Sequence, residues 1–289
     1  MNRVEGKGAL ITGGGAGIGA ATGELVCAEG GMAVLVDANA DALAVTMQAI
    51  AQRVPGARVS TFAADVADAS AAARAVEHAL QTFGRIDILV NNAAMRNYSA
   101  IADSTPAEWQ AMVGVNLIGV ANYCKAALPA LRRSGRASIV NVSSCYALTG
   151  RKGMGLYDAT KAGILAITRT LAFEEVAHGV RVNAVCPGST LTDFHISKAR
   201  AVGKSVETLK TERQTSSLLG RWDAAGDCLA DSLARQRRSL VHHRGDARCR
   251  WRPFYCVTAL FCAVRVPASV SPAVENGICT SVRRWRRYR

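Results

Sequence analysis

The chain has 289 residues, a formal net charge of +13 and a hydrophobic content of 49%. This length accommodates one large domain or a domain with an extension, and the apolar content is ample for a core. No uncharged apolar run is long enough to span a membrane, and the start MNRVEGKGALITGG lacks a secretory leader pattern, so we expect a cytoplasmic protein without membrane contact.

Short apolar runs rich in β-branched residues alternate with helical patterns through the first 220 residues. The sequence predicts strands at 8–13, 32–37, 57–65, 86–93, 137–144 and 180–188, and helices at 17–29, 39–53, 69–83, 106–133 and 157–177. Strands with nearly continuous apolar residues are typical of a parallel sheet that is covered on both faces. The pattern therefore predicts an α/β protein with a doubly wound parallel sheet of the Rossmann type, whose ligands bind beyond the carboxyl ends of the strands.

A glycine-rich segment, TGGGAGIG, follows the first predicted strand and opens the first helix. Glycines let the backbone turn tightly and approach a pyrophosphate, whose charge meets the amino terminus of the helix. A tight turn without a ligand is the alternative interpretation. If the segment holds a dinucleotide, its contacts come from Thr12, Gly13, Gly15, Gly17, Ile18 and Gly19.

The second predicted strand ends at Asp37. A carboxylate at this position accepts hydrogen bonds from both ribose hydroxyls and repels a 2′-phosphate. Ala16 in the glycine-rich segment and Ala38 after the strand provide no positive charge to hold such a phosphate. The sequence therefore favours NAD over NADP, and a solvated strand end is the alternative interpretation.

The spacing T-G-x-x-x-G-x-G resembles that of the short-chain dehydrogenase/reductase family, and the resemblance extends from residue 6 to about 222. In NNAA, after the fourth predicted strand, Ala94 departs from the family's usual NNAG. CPGSTLT, after the sixth, is similar to the family's Pro-Gly followed by Thr, which is expected near the nicotinamide carboxamide. The resemblance implies further cofactor contacts, near the adenine or the nicotinamide, at Asp65, Val66, Asn92, Ala93, Pro187, Gly188 and Thr192.

Tyr157 and Lys161 lie four residues apart in YDATK, and hence on one face of a predicted helix. A free phenol has a pKa near 10, too high for a base at neutral pH, and an ammonium group one turn away favours the phenolate. Lowering a phenol pKa by about 3 units requires roughly 4 kcal/mol of stabilisation, to which a positive nicotinamide ring would add. The pair can then serve as a general acid/base in hydride transfer. A solvated helix with this spacing is the alternative.

In the resembling family the catalytic set corresponds to Asn116, Ser144, Tyr157 and Lys161. Ser144 would donate a hydrogen bond to the substrate oxygen, and Lys161 would also bind the nicotinamide ribose. Asn116 would hold a water molecule in a proton relay from Lys161.

The substrate pocket is less well defined by the sequence, and the segment at about 193–212 could form a lid over it. Arg96 could pair with an acidic substrate, although a solvated loop arginine is the simpler interpretation. By position, the pocket could be lined by Met95, Arg96, Cys145, Tyr146, Leu156 and Ser189.

These patterns predict an NAD(H)-dependent oxidoreductase that interconverts a small-molecule secondary alcohol and a ketone. With the family's ordinary carboxyl-terminal part, such a chain would be expected to form a homo-oligomer, either a dimer or a tetramer. The alternative is a catalytically impaired or non-enzymatic dinucleotide-binding or regulatory protein whose basic tail adheres to nucleic acid.

The residues after 220 differ in composition from the rest. From Arg221 onward the sequence holds 14 arginines, no lysine, five acidic residues and five of the nine cysteines. We therefore divide the chain into a catalytic domain at 1–222 and an aberrant arginine-rich tail at 223–289. The tail's histidines and cysteines follow no known metal-ligand spacing, and VRRWRRYR at 282–289 would adhere to polyanions without specificity, so we predict no metal and no specific nucleic acid.

The family's last strand, of the form TGxxLxVDGG, does not follow Trp222. With one allowed codon chosen per residue and each triplet read one base later, 231–254 can be translated as ILLLASDEASFITGATLVVDGGRF. We hypothesise that the sequence from about 223 is a frameshifted reading of an ordinary ending. Loss of an edge strand exposes backbone and apolar surface, so we expect poor solubility or activity and impaired tetramer formation.

Overall fold

Six short strands form one parallel sheet in the computed structural model, which describes residues 2–188, 190, 192–209 and 211. The predicted strands are all present; the second has the predicted bounds, and each of the other five is shorter than its apolar run. Their bounds are β1 Gly8–Thr12, β2 Met32–Asp37, β3 Arg58–Ala63, β4 Ile88–Asn91, β5 Ser138–Val142 and β6 Arg181–Val185.

The strand order is β3-β2-β1-β4-β5-β6, and every neighbouring pair runs parallel. This is the order of a doubly wound dinucleotide-binding sheet, and it confirms the predicted fold class. The chain leaves β1 toward one edge through β2 and β3 and returns to the other side of β1 for β4. The strand order therefore reverses between β1 and β4, where such sheets place their ligands.

Helices cover both faces of this sheet. They are α1 Gly17–Ala28, α2 Ala40–Arg53, α3 Ala69–Phe83, α4 Pro106–Val113, α5 Gly119–Ser134, α6 Gly155–Glu174 and α7 Asp193–Ala201. The first two pack on one face, where Ile11 and Leu35 point, and α3, α5 and α6 pack on the other, where Leu10 and Val34 point. Alternate strand residues enter two separate cores, which explains the nearly continuous apolar runs.

Local signals fix where several helices begin and end. Thr105 and Glu108 form a reciprocal capping box at the start of α4, and Pro106 occupies its first turn. Gly84 and Gly135 end α3 and α5 in the left-handed conformation, with φ of 75° and 69°.

The single helix predicted at 106–133 is continuous but not uniform. A π-helical turn, Gly114–Ile118, joins α4 to α5. By length and composition alone, the stretch Pro106–Ser134 is apolar enough to cross a membrane. Its residues Tyr123, Ala127 and Leu131 are fully buried in the core beneath the sheet, so core packing accounts for its apolar character.

The helix α7 lies where the sequence analysis expected a variable lid, and it was not among the predicted helices. The proposed tail at 223–289, the boundary at 222 and the expected loss of a final strand all concern residues outside the described range.

Candidate active site

A cleft of about 790 Å³ lies beyond the carboxyl ends of the strands and crosses the point where the strand order reverses. It brings together most of the residues that the sequence analysis selected. Those that line it are Gly13, Gly17, Ile18, Asp37, Asp65, Val66, Asn92, Ala93, Ser144, Tyr157, Lys161, Pro187, Gly188 and Thr192. Four more of the selected residues do not line it and are buried: Thr12, Gly15, Gly19 and Asn116.

The glycine-rich segment is held against the end of β4. The Asn92 side chain donates hydrogen bonds to the carbonyls of Thr12 and Gly13, at 3.1 and 3.0 Å. The backbone amides of Asn92 and Ala93 both donate to the Thr12 hydroxyl. Gly13 has a φ of +65°, and a Cβ there would lie 2.7 Å from the side-chain nitrogen Nδ2 of Asn92. Only glycine therefore fits this position.

The carboxylate of Asp37 is anchored at the end of β2. Its Oδ2 accepts a hydrogen bond from the Gly15 amide at 3.1 Å, and its Oδ1 accepts one from the Asn39 amide at 3.0 Å. Because a carboxylate oxygen can accept more than one hydrogen bond, both oxygens can also accept from a ligand in the cleft. Ala16 and Ala38 line the cleft on either side of this carboxylate.

Three polar side chains of the predicted catalytic set meet at the opposite end of the cleft. Ser144 lies two residues beyond β5, and its Oγ accepts a hydrogen bond from the Tyr146 amide at 3.2 Å. Tyr157 and Lys161 lie in the first two turns of α6 and are 6% and 2% exposed. The Lys161 Nζ donates a 2.7 Å hydrogen bond to the Val142 carbonyl and lies 5.6 Å from the centre of the Tyr157 ring.

Burial strongly affects the charge of Lys161. Desolvation, reinforced by the positive charge of Arg96, lowers the pKa of this lysine to about 7. The ammonium form is thus in balance with the neutral amine near physiological pH.

The side chain of Asn116 connects the loop after β4 to α6. Its Oδ1 accepts from the Met95 amide at 2.9 Å, and its Nδ2 donates to the Met95 carbonyl and to the Thr160 hydroxyl. The Thr160 hydroxyl in turn donates to the Tyr157 carbonyl at 2.8 Å. Asn116 is fully buried and lies in the π-helical turn, a feature frequent at functional sites. Its side chain positions the helix that carries Tyr157.

A second buried polar network was not anticipated from the sequence. Asn91 donates to the Asn141 side chain at 2.8 Å, and Asn141 donates to the Thr168 hydroxyl at 2.9 Å. The chain of hydrogen bonds joins β4, β5 and α6 inside the core. It fixes α6, with Tyr157, against the strand that leads to Ser144.

Arg96 lies in the cleft and is half-buried, which corrects the interpretation of a solvated loop arginine. Its Nη2 donates to the Tyr157 hydroxyl at 3.4 Å, and its guanidinium lies 4.7 Å from the centre of that ring. Burial opposes its charge, but the oxygens of Tyr157 and Tyr98 outweigh burial, and the pKa of Arg96 is raised above its ordinary value. The side chain therefore remains a cation beside the phenol.

Arg151, which the sequence analysis did not select, also lines the cleft. It contacts the Asp158 carboxylate at 3.0 Å, and its guanidinium lies 3.8 Å from the Tyr146 ring centre and 5.4 Å from that of Tyr157. Its spacing from Asp158, seven residues apart across the start of α6, gave no recognisable signal in the sequence.

Of the other residues suggested for the substrate pocket, Met95 and Tyr146 line the cleft. Cys145 and Leu156 do not line it, and Leu156 is fully buried in a separate apolar cluster with Tyr157 and Met112. The suggestion of Ser189 falls outside the described residues.

Known proteins are similar to this chain in sequence and in fold. A family model described as short chain dehydrogenase matches residues 7–202. The chain is 38% identical over 213 residues to the short-chain reductase protein NovJ of Streptomyces niveus, a match covering 74% of this chain and 80% of that protein. It is 36% identical over 206 residues to the 3-oxoacyl-[acyl-carrier-protein] reductase FabG of Thermotoga maritima, covering 70% and 83%. The structure of L-sorbose reductase from Gluconobacter frateurii, complexed with NADPH and L-sorbose, is similar with a TM-score of 0.74 and 28% identity, over 81% of this chain and 90% of that chain.

Proposed function

Because this chain belongs to the short-chain dehydrogenase family, whose members are oxidoreductases that bind a nicotinamide dinucleotide, we propose that it interconverts a secondary alcohol and a ketone with NAD(H) and uses Tyr157 as the general acid/base. One observation carries this proposal. A single cleft is lined at one end by Gly13 and Asp37 and at the other by Ser144, Tyr157 and Lys161.

The residues present fit a dinucleotide. Gly13 and Gly17 line the cleft as bare backbone, which lets a pyrophosphate approach closely. Asp65 and Val66 line the adenine end, and Pro187, Gly188 and Thr192 line the opposite wall, where they would contact the nicotinamide carboxamide. When bound, the nicotinamide ring supplies the acceptor or donor of the hydride.

Asp37 is the basis for proposing NAD rather than NADP. Its carboxylate would accept hydrogen bonds from both ribose hydroxyls, whereas a 2′-phosphate in the same place would be repelled by its negative charge. Among the described residues that line the cleft, the basic ones are Arg96, Arg151 and Lys161, all near Tyr157 rather than near Asp37. The similar L-sorbose reductase is complexed with NADPH, so the preference of this chain follows from its own residues and not from its relatives.

In the direction of oxidation, the Tyr157 phenolate accepts the hydroxyl proton of the alcohol while a hydride leaves the carbinol carbon, and the ketone remains. Ser144 donates a hydrogen bond to the same substrate oxygen and orients it toward the phenol. The neighbouring cations Lys161 and Arg96 stabilise the negative phenolate oxygen. In the direction of reduction the phenol returns its proton to the developing alkoxide.

The proton reaches solvent through Lys161 in this proposal. A pKa of about 7 lets the lysine give up and regain a proton near neutral pH. The Asn116 side chain is fully engaged with Met95 and Thr160, so any water that Asn116 holds for this relay binds to its backbone carbonyl in the π-helical turn. We therefore propose a backbone role for Asn116 in the relay and a positioning role for its side chain.

The proposal is tested with Tyr157→Phe in the full chain. Ketone-dependent oxidation of NADH is followed by absorbance over a panel of secondary alcohols and ketones, and NADH binding is followed by fluorescence. We expect the variant to lose about 10²–10⁴-fold in turnover, the usual contribution of a general acid/base, while it still binds NADH.

Tyr123→Phe is the matched control. Tyr123 is a fully buried tyrosine whose hydroxyl has no hydrogen-bond partner among the described residues, so its removal should leave turnover unchanged. Full activity of Tyr157→Phe would overturn the mechanism. NADH binding by the wild-type chain without turnover of any substrate would favour the alternative, a dinucleotide-binding protein that is not an enzyme.

The proposal includes a cytoplasmic, homo-oligomeric protein that acts on a small molecule. A dimer or tetramer is the expected assembly for a chain with the family's ordinary ending, and sedimentation measurements on the full chain test whether this chain retains it.

A further inference from the structure

The substrate end of the cleft carries an excess of positive charge. Arg96, Arg151 and Lys161 all line it around the Tyr157 ring. Among the described residues, the acids that line the cleft are Asp37 and Asp65, which lie at the other end, beyond β2 and β3. A positive nicotinamide ring would add to the imbalance in the oxidised complex.

The three cations are not equivalent. Arg151 faces the Asp158 carboxylate, which is 10% exposed and receives hydrogen bonds from both its Nε and its Nη2. Lys161 donates to the Val142 carbonyl and is 2% exposed. These contacts hold the Arg151 and Lys161 side chains against the protein wall.

The contacts of Arg96 include two phenols, those of Tyr157 and Tyr98, and Arg96 touches the group that reacts. Its guanidinium lies over the Tyr157 ring, donates to the Tyr157 hydroxyl at 3.4 Å and interacts with the Tyr98 side chain. The distance of 3.4 Å is long for a hydrogen bond, and a guanidinium has five N–H donors, so Arg96 can bind a further acceptor while it stays beside the phenol. The guanidinium fork matches the two oxygens of a carboxylate, and such pairs are among the strongest hydrogen bonds in proteins.

We propose that Arg96 is a specificity-determining residue that binds a carboxylate of the substrate, so that the preferred substrates are oxo acids and hydroxy acids rather than neutral ketones and alcohols. The contact between Arg96 and Tyr157 places the carboxylate one or two carbons from the reacting carbon, because the reacting oxygen lies at the Tyr157 hydroxyl. This inference rests on the proposed function and names the substrate class for the same cleft.

The first test compares acids with their neutral esters in the full chain. The substrates are 2-oxobutyrate and acetoacetate, each with its methyl ester, and the readout is the ratio of kcat/KM for acid over ester. We expect the wild-type chain to prefer the acids, and Arg96→Met to reduce that ratio about 100-fold, as loss of a bidentate charged contact implies. Arg96→Lys keeps the charge but not the fork, and should restore part of the ratio.

Arg133→Met is the matched control, since Arg133 is an exposed arginine in the last turn of α5, far from the cleft in the fold. Its acid-to-ester ratio should equal that of the wild type. A role for Arg96 only in stabilising the phenolate would lower acid and ester turnover equally and leave the ratio unchanged. An unchanged ratio in Arg96→Met, or a wild-type preference for the esters, overturns the proposal.

A second measurement does not depend on turnover. The fluorescence of protein-bound NADH is titrated with 2-hydroxybutyrate, 3-hydroxybutyrate and 2-butanol, none of which can accept a hydride from NADH. We expect one of the hydroxy acids to bind at least tenfold more tightly than 2-butanol, and this difference to disappear in Arg96→Met. If the acids bind in this way but nothing is turned over, the proposed function fails and the carboxylate site stands. If ketones are turned over but Arg96→Met changes neither the acid-to-ester ratio nor the preference for the hydroxy acid over 2-butanol, the proposed function stands and the carboxylate site fails.

Discussion

Lys161 and Tyr157 lie on one buried face of α6, with the lysine Nζ 5.6 Å from the centre of the phenol ring. The lysine side chain crosses the wall of the cleft to reach the Val142 carbonyl at the end of β5. Holding a charge at this depth disfavours the folded state, which makes the protonation of Lys161 visible in the stability of the protein.

The pKa of Lys161 predicts a pH dependence of folding. Its pKa is lowered from 10.5 to about 7 in the folded protein, so between these values the unfolded chain binds more protons than the folded chain. The contribution of Lys161 to the free energy of unfolding therefore rises with pH across this window, by an amount on the order of a few kcal/mol, and its full cost is present below the lower value. Lys161→Met should show a smaller rise. Urea unfolding at pH 7 and pH 10 gives the change in the free energy of unfolding for each protein. An equal change in the two proteins would contradict the prediction.

The identity of the dinucleotide is expected to depend on Asp37. Replacing it in the double variant Asp37→Ser with Ala38→Arg removes a like charge and adds a cation where a 2′-phosphate would lie. We expect the ratio of the dissociation constants for NADPH and NADH to shift toward NADPH by about 100-fold, which corresponds to roughly 3 kcal/mol. Fluorescence titration measures both constants. Asp103→Ser, an exposed acid outside the cleft, should leave the ratio unchanged.

Gly13→Ala should abolish dinucleotide binding. The new Cβ would lie 2.7 Å from the side-chain nitrogen Nδ2 of Asn92 and 2.8 Å from the Ala93 Cα, so the loop or the end of β4 must move. Gly56→Ala is the matched control, because Gly56 has a φ of +75° but no atom within 4 Å of a Cβ. Both variants should lose about 1–2 kcal/mol to backbone strain. Only Gly13→Ala should lose further stability and NADH binding, and equal losses would show that the clash is absorbed.

Asp87 is expected to be important for stability rather than catalysis. Its side chain is 1% exposed and accepts hydrogen bonds from the Gly8 amide at 2.9 Å and from Arg85 Nε at 2.7 Å. Burial raises the pKa of this carboxyl, but the hydrogen bonds from Arg85, Ser134 and Gly8 outweigh burial, so the pKa lies below its ordinary value. Its contribution is therefore present above the ordinary value of 3.8 and is lost as the pH falls through the lowered one.

Asp87→Ala should lower the free energy of unfolding by about 1–3 kcal/mol at neutral pH, because the buried Gly8 amide loses its acceptor, while Arg85 is half-exposed. Denaturant unfolding of the two proteins measures the loss. As the pH is lowered into the acid range, the free energy of unfolding should also fall less in the variant than in the wild type. A loss below about 1 kcal/mol, the value of an exposed ion pair, would count against this assignment.

The hypothesis of a frameshifted ending is tested by the coding DNA around codon 223. We expect another reading frame to encode the strand ending in D-G-G and then a stop codon. Absence of such a frame would refute the hypothesis. If the frame is present, the protein made from the restored gene should be more soluble than the present chain.

The sequence predicted the elements whose residues are determined by local composition. The six strands are apolar runs buried on both faces, so their positions could be read within a few residues; β3, for example, is Arg58–Ala63 where 57–65 was predicted. The cleft lining followed for the same reason, because parallel strands present their carboxyl ends together.

The features that the sequence did not predict depend on contacts between distant segments. Arg96 is a loop residue, and only the packing of that loop against α6 places its guanidinium on Tyr157. The Asn91–Asn141–Thr168 network likewise requires three elements to meet. Asn116 was selected as a member of the catalytic set, but its side-chain bonds to Met95 and Thr160 could not be inferred from its position alone.

The Asn92 side chain joins the two halves of the sheet, since it leaves the end of β4 and hydrogen bonds to the carbonyls that follow β1. The dinucleotide half and the catalytic half of the cleft are consequently hydrogen-bonded to each other at this point. We therefore expect a change at Asn92 to lower both the affinity for the nicotinamide dinucleotide and the rate of the chemical step.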